Sequence, residues 1–401
     1  MGKIGVWVIG IYGSVGTAVT IGTSAIIQGL CPPHGVTTET EPINRLNLVG
    51  LKDLVFGGHD IRESSLHDSA LQYYRENGVP SYEVLEKVKG DIDQITSRVK
   101  TGTTLNCSKP IQAITKAASA TNDNTIRESI EQIKRDISEF KDQNSLTEVI
   151  VVNLSSAEPY LEIEDKHTEL SGFEKMLDAN DKLSIRSSTM YAYAAIDLGC
   201  PYINFTSSNA SLLPALQVFA REKGVPFMGN DGKTGETLIK SALAPVFKYR
   251  NLEVMTWQGY NLLGNMDGEV LMDQKTKDSK IESKDHLLPK ILNKSPHTHV
   301  GIDYVSSLKD WKTAWDFVHF KGFLDTKMSM QFTWQGCDSM LAAPIVLDLV
   351  RLVNFAKANG EKGEMRHLSC FFKNPIGVDE QDLHLQFHSL IDYVDSNSNK
   401  A

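Results

Sequence analysis

The sequence predicts an α/β protein: a parallel sheet of repeated strand–helix units, interrupted late in the chain by an α+β insertion. Three observations predict it. Over the first 230 residues, short continuous apolar runs alternate with segments of helical periodicity, the pattern of strands buried on both faces. Polar turns recur at corresponding ends of these runs, at Gly10–Gly16, Ser155–Pro159 and Thr206–Asn209. After residue 250 the runs lengthen, and in Thr326–Trp334 the residues Met328, Met330, Phe332 and Trp334 alternate with polar ones. Such alternation marks an antiparallel sheet with one buried face.

Ile4–Ile9 is the first buried strand. Gly10-Ile-Tyr-Gly13-Ser-Val-Gly16 follows, then a helix from Thr17 to about Gln28. Strand, glycine turn and helix open a Rossmann-like dinucleotide-binding domain, where pyrophosphate rests on the helix N-terminus. Gly10, Tyr12, Gly13, Ser14, Val15 and Gly16 are therefore candidate cofactor residues, although the spacing is GxxGxxG and Tyr12 stands where glycine is common. Asp60 ends the next strand, Leu54–Asp60, and suits ribose hydroxyls. It lies beyond the usual spacing because Cys31–Arg45 is a loop insertion. The competing role for Asp60 is an N-cap of a helix near Ile61–Leu71.

Helices follow around Ser64–Asn77 and Tyr82–Val99, and Gly102–Thr125 is partly loop. Ile126, Ile130, Ile133, Ile137 and Phe140 mark one face of an amphipathic helix. Glu148–Leu154 is a strand, and Ser155, Ser156 and Ala157 sit at its carboxyl end, where parallel sheets bind ligands. A helix from Ser187 and a strand Pro201–Phe205 complete the pattern.

Gly229-Asn-Asp-Gly-Lys-Thr-Gly-Glu-Thr237 joins the strand Val225–Met228 to a helix, Glu236–Phe247. Unpaired N–H groups and the positive dipole end at such a junction suit a phosphate. Thr234, Gly235, Glu236 and Thr237 are its candidate ligands; the bland alternative is a helix capped by Thr234. Strands at Glu253–Tyr260, His297–Ser306 and Thr326–Trp334 then build an inserted α+β domain, residues 237–338, within a Rossmann-like domain of residues 1–236 and 339–401. An apolar helix Ser339–Ala358, a last strand Leu368–Phe372 and a helix Gln381–Asp395 close the chain.

The chain has 401 residues, 41% hydrophobic and 23% charged, with net charge −9. An acidic balance argues against nucleic-acid or anionic-membrane partners. Five scattered cysteines without a CxxC pair fit a reducing compartment. No secretory signal and no run of about 18 apolar residues is visible, so the expectation is a cytoplasmic protein without a membrane span. His297 and His299 share a strand face but have no third ligand nearby, so no metal site is expected.

Within the insertion, Lys280 and Lys284 stand four residues apart, so on a helix both would face one anion; a solvated lysine-rich face is the alternative. Several motifs then occur in register: Gly229–Thr237, Tyr260-Asn-Leu-Leu-Gly-Asn-Met-Asp-Gly268, Ser279–Lys284, Asp310-Trp-Lys-Thr-Ala-Trp-Asp316 and Cys337-Asp-Ser-Met-Leu-Ala-Ala-Pro344. Together with Phe56–Ile61 and Pro201–Asn204, this order and spacing resembles myo-inositol-1-phosphate synthases, in the compact length of archaeal and bacterial forms.

The resemblance implies an NAD-dependent isomerase that converts D-glucose 6-phosphate to 1L-myo-inositol 1-phosphate. The steps would be oxidation at C5, enolisation, intramolecular aldol closure and reduction, with no net redox change. By motif match, the catalytic lysines are Lys280, Lys284, Lys312 and Lys373, and the acidic residues are Asp231, Asp267 and Asp338. Asn265 and Asp267 would also meet the cofactor, and Lys312 would join Thr234–Thr237 around the substrate phosphate. Glu236 replaces an uncharged glutamine of the eukaryotic pattern, so its side chain is expected to point away. The resemblance further implies a homotetramer and leaves room for a divalent or monovalent cation near the phosphates. Rival readings are a cyclase or dehydrogenase for another sugar phosphate, and a non-catalytic sensor of NAD or sugar phosphate.

Overall fold

The computed structural model describes residues 2–115, 124–270, 287–292 and 294–398. Among these, the strands are β1 (Ile4–Ile9), β2 (Leu54–Asp60), β3 (Val99–Thr101), β4 (Glu148–Asn153), β5 (Tyr202–Asn204), β6 (Pro226–Met228), β7 (Glu253–Leu263), β8 (His297–Tyr304), β9 (Trp311–Lys321), β10 (Lys327–Cys337) and β11 (Gly363–Glu364). The helices are α1 (Ser14–Ile27), α2 (Leu66–Asn77), α3 (Tyr82–Thr96), α4 (Lys109–Ile114), α5 (Ile126–Gln143), α6 (Leu170–Asp178), α7 (Ser187–Asp197), α8 (Pro214–Glu222), α9 (Gly235–Tyr249), α10 (Met266–Val270), α11 (Leu287–Leu292), α12 (Asp338–Ala358) and α13 (Leu383–Asn397).

Seven strands form a parallel sheet in the order β11-β6-β5-β4-β1-β2-β3. From β3 to β6 this is the doubly wound order of a dinucleotide-binding fold, with its switch point between β1 and β4. All six residues of β1 are buried, because helices cover both faces. α1, α2, α3 and α12 pack on one side, and α5 to α8 on the other. Polar residues enter α1 at little cost: Thr20 and Thr23 donate back to the carbonyls of Gly16 and Val19 at 3.0 and 2.7 Å. In α5, Ile126, Ile130, Ile133, Ile137 and Phe140 are all buried, behind a capping box of Thr125 and Glu128.

Helix α12 is long and apolar enough to cross a membrane, with mean hydropathy 1.6, yet 78% of that window is buried in the protein. Asp348 on α12 accepts from the N–H groups of Thr37 and Thr38 and the Thr38 hydroxyl, at 2.9, 2.8 and 2.7 Å. Arg351 donates to the Val49 carbonyl at 2.9 Å. The 31–53 insertion is thereby fastened to the core.

The second sheet has the order β10-β9-β7-β8. It is mixed rather than antiparallel throughout, since β7 and β8 run parallel. Strand β9 falls outside the runs that the sequence predicts as strands, although its burial alternates along Ala314, Asp316 and Val318. The expected strand Leu368–Phe372 is instead a 3-10 turn, Arg366–Phe371, and the seventh strand is the short β11 before it. A short apolar run signals burial, and burial does not by itself select a strand.

α9 and α11 cover the inner face of the second sheet, around Phe247, Trp257, Ile291 and Val318. Beneath α9 lies a buried charge cluster. Lys240 Nζ is 2.5 Å from Glu236 Oε1 and 3.5 Å from Asp316 Oδ1. Asn261 donates to Glu236 Oε2 at 2.5 Å, and Trp257 Nε1 to Asp316 Oδ1 at 2.7 Å. Burial would lower the Lys240 ammonium, but the two carboxylates outweigh it and hold it charged. Burial, then the nearby Glu236, push the Asp316 carboxyl up from 3.8 to about 6. A folded-state value above the unfolded one favours the protonated folded form, and that contribution fades as pH rises from about 4 to about 6. Across this window, the denaturant midpoint of the wild type should therefore fall relative to that of Asp316→Asn. Parallel midpoint-versus-pH curves would reject this account.

Candidate active site

A cavity of about 280 Å³ opens at the carboxyl ends of β1, β2, β4 and β5, where a doubly wound sheet binds ligands. One wall is the glycine turn. Gly10 takes φ +80°, and a Cβ on Gly16 would come within 2.5 Å of the Ile11 carbonyl, so glycine is required at both positions. Gly13 is the N-cap of α1 and supplies no side-chain bond, which leaves the first N–H groups of the helix for an anion. Gly10, Gly13, Ser14, Val15, Asp60, Ser155, Ser156, Ala157 and Asn265 all line the cavity.

Tyr12 and Gly16 are not lining residues. Tyr12 is a support: its ring is buried in the core, and its N–H donates to Asp60 Oδ2 at 2.8 Å. The Asp60 carboxylate also accepts from Arg62 N and Nε, at 3.0 and 3.2 Å. Asp60 therefore reaches the cavity already fixed in place, and Arg62 lines the cavity beside it.

Three asparagines knit the strand ends together. Asn153 Oδ1 accepts from Ser155 N and Oγ, at 3.2 and 2.7 Å. Asn153 Nδ2 donates to Asn204 Oδ1 at 3.2 Å, and Asn204 Nδ2 to Asn230 Oδ1 at 2.6 Å. This ladder shapes the turns the sequence showed as polar, and individual asparagines gave no sign of it.

The opposite wall gathers the expected charged residues from distant segments. Lys373 Nζ donates to Asp231 Oδ1 at 2.8 Å, and its backbone N–H to the Asp231 carbonyl at 2.7 Å. Thr234, the N-cap of α9, makes no capping bond and donates its hydroxyl to Asp338 Oδ1 at 3.0 Å. Lys312 Nζ lies 3.9 Å from Asp338 Oδ2 and 3.8 Å from the point where a Cβ on Gly235 would sit. The start of α9 thus offers uncapped N–H groups next to an ammonium.

Asp231, Thr234, Lys312, Asp338 and Lys373 line the same cavity as the glycine turn. Gly235, Glu236 and Thr237 lie behind that wall, and the Glu236 carboxylate points to Lys240. Lys280 and Lys284 lie outside the described residues, as does the side chain of Asp267. Among the described residues, no group of three His, Cys, Asp or Glu side chains is placed to hold a metal ion.

Sequence reasoning missed several groups here. Glu158 is half-buried in the cavity wall, hydrogen-bonded to the hydroxyls of Ser188 and Ser208; its partial burial pushes its carboxyl up, and those bonds pull the other way. His59 packs against Trp7 at 4.9 Å, with Nε2 3.0 Å from Asp136 Oδ2. Burial lowers the His59 imidazole despite that carboxylate. Lys233, inside the turn motif, is wholly buried and donates to Gln386 Oε1 of α13 at 2.5 Å; burial, then Lys373, bring it to about 8 where its partners fail to offset them. Lys233 is a member of the Gly229–Thr237 motif, and that membership is the one signal of it in the sequence.

Comparison with known proteins fits this geometry. A family model described as myo-inositol-1-phosphate synthase matches residues 4–394. The chain is 35% identical over 396 residues to inositol-3-phosphate synthase 1 of Bacteroides thetaiotaomicron, covering 94% of this chain and 90% of that one. It is 27% identical over 412 residues to an Arabidopsis thaliana isozyme, covering 90% and 76%. The solved inositol-3-phosphate synthase of Caenorhabditis elegans superposes with a TM-score of 0.87 at 24% identity, over 99% of this chain and 86% of that one, a likeness of fold. With an NAD-binding family model spanning nearly its whole length, and a relative matched almost end to end, this chain belongs to the myo-inositol-1-phosphate synthase family.

Proposed function

We propose that the protein is an inositol-3-phosphate synthase, converting D-glucose 6-phosphate to 1L-myo-inositol 1-phosphate with NAD and no net redox change. One observation carries the reading: two carboxylate-held lysines, Lys312 and Lys373, share a cavity with a glycine turn built for a dinucleotide. NAD, when bound, accepts a hydride from the sugar and later returns it. Gly10, Gly13, Ser14 and Val15 would hold its pyrophosphate on the α1 N-terminus, and Asp60 a ribose hydroxyl.

The substrate phosphate would sit at the start of α9, against Thr234, the N–H groups of the turn and Lys312. With the phosphate anchored there, the sugar carbons extend toward Lys373 and Asp231. Each intermediate of the cyclisation places negative charge on oxygen, and a preformed ammonium lowers its energy without reorganisation. Lys373 Nζ, hydrogen-bonded to Asp231, is placed to hold a proton against such an oxygen and to pass it back. Asp338, between Thr234 and Lys312, fixes both where the phosphate binds. A non-catalytic sensor would have no use for these proton-holding pairs.

Two finer features belong to the same reading. We infer a homotetramer joined through the outer face of the second sheet. Tyr260, Trp315, Phe317 and His319 form a row there, with successive ring centroids 5.9, 6.4 and 6.2 Å apart, and Tyr260 and Trp315 are each 38% exposed. A cytoplasmic site of action fits five free cysteines.

Incubation with glucose 6-phosphate and NAD should yield inositol phosphate without accumulating NADH. Net NADH would indicate an ordinary dehydrogenase, and no product would end the proposal. Lys373→Ala should cut turnover about 100- to 1000-fold, the usual loss for one charge-stabilising donor, while calorimetric NAD affinity holds within about threefold. Lys312→Ala should in addition raise KM for the sugar phosphate; an unchanged KM would remove Lys312 from the phosphate site. Trp315→Asp should lower the mass measured by light scattering, and an unaltered mass would rule out that face as the interface.

A further inference from the structure

Lys312, Asp338 and Asn265 come from three separate segments, and all three segments are tied to one residue with no role so far, Asp310. We propose that Asp310 is a positioning residue for the cyclisation, locking the starts of β9, α10 and α12 so that Lys312 and Asp338 face the phosphate and Asn265 faces the cofactor. The proposal rests on the functional reading above for the roles of those three residues.

Asp310 is 3% exposed. Its Oδ2 accepts from the Tyr73 phenol at 2.6 Å and from Ser339 N at 2.8 Å. Its Oδ1 accepts from Asn265 Nδ2 at 3.1 Å. Its carbonyl accepts from Lys312 N at 3.1 Å and Asp338 N at 3.0 Å, and its own N–H donates to Asn77 Oδ1 at 2.9 Å. The bonds with Ser339, Asn265, Lys312 and Asp338 lead to segments that carry a proposed site group. Ser339 N belongs to the first turn of α12, where N–H groups lack helical partners and a negative charge is favoured. Asn265 passes the constraint on, because its Oδ1 accepts from Gly268 N at 3.2 Å and so shapes the start of α10, which carries Asp267. Tyr73 and Asn77 anchor the hub to α2, on the dinucleotide-binding side.

The donors to the carboxylate are neutral. A buried carboxylate is costly unless its oxygens are satisfied, and here they are satisfied without drawing on Lys312. The Lys312 ammonium therefore stays directed into the cavity, 3.9 Å from Asp338. Burial and the adjacent Asp310 push the Tyr73 phenol far up, which keeps it a donor.

The test combines Asp310→Asn, Tyr73→Phe and Lys312→Ala. Asp310→Asn should lower kcat about 30-fold or more, with NAD affinity within about threefold, since the glycine turn is held separately. In the Lys312→Ala background its further cost should fall well below its cost in the wild type, because part of its effect runs through Lys312. Multiplying losses would overturn the proposal. If Asp310→Asn does not fold, Tyr73→Phe should show the same non-additivity at smaller size, and additive losses there would overturn it equally. Wild type that makes no inositol phosphate would defeat the functional reading alone. Crystal structures of the two hub variants then decide: Asn265 and Lys312 displaced relative to the parallel sheet support the proposal, and unmoved positions reject it.

Discussion

Helix α9 must satisfy two sheets at once, and the rest of the site depends on how it does so. Its N-terminus faces the cavity with no capping side chain. Its first two turns bury Glu236 and Lys240 against Asp316 of the second sheet. Two carboxylates share one ammonium there, and burial first, then the nearby Glu236, raises Asp316. Replacing such a cluster with apolar side chains often stabilises a protein, whereas removing one member strands a buried charge. What the cluster contributes here is register: a shift of α9 along β9 would separate these partners and carry Thr234 away from Lys312.

The same logic extends to the carboxyl-terminal part of the chain. Residues 229–233 and 371–376 pair as a short irregular ladder: Asn230 and Asn374 exchange backbone bonds at 2.8 and 3.1 Å, and Lys233 N donates to the Phe371 carbonyl at 2.8 Å. That ladder brings Lys373 to Asp231 across 142 residues of sequence. Behind it, Lys233 reaches Gln386, so α13 supports the turn from below. A wholly buried lysine with a neutral partner is an uncommon arrangement; here it lies behind the wall of the proposed phosphate site.

The fold was largely legible in the sequence, because its signals are local. Ile4–Ile9 and Glu148–Asn153 are continuous apolar runs, and only burial on both faces makes such runs profitable. The α5 periodicity survives because its capping box and its apolar face agree. Legibility failed where burial and conformation separate: Leu368–Phe371 is as buried as a strand but curls into a 3-10 turn, while β11 has only two residues. Strand β9 was hidden because its inward face carries Asp316, a charge that makes sense only beside Lys240. The site was legible where motifs hold it, at Gly10–Gly16 and Gly229–Thr237. The Asn153–Asn204–Asn230 ladder and the Asp310 hub were not, since each joins residues tens to hundreds of positions apart.

Glu236 shows how one substitution can be neutral for an anion site. A carboxylate in the second position of α9 would oppose a bound phosphate if it faced the cavity, by Coulomb repulsion at short range. It faces the other way, and Lys240, one turn along the same helix, pairs with it at 2.5 Å. Asn261 takes its second oxygen. The charge is therefore compensated inside the joint between the sheets, while Thr234 at the same helix start lines the cavity. The carboxylate and the helix start serve opposite surfaces, and for that reason an acidic residue is compatible with the phosphate site proposed at this helix start.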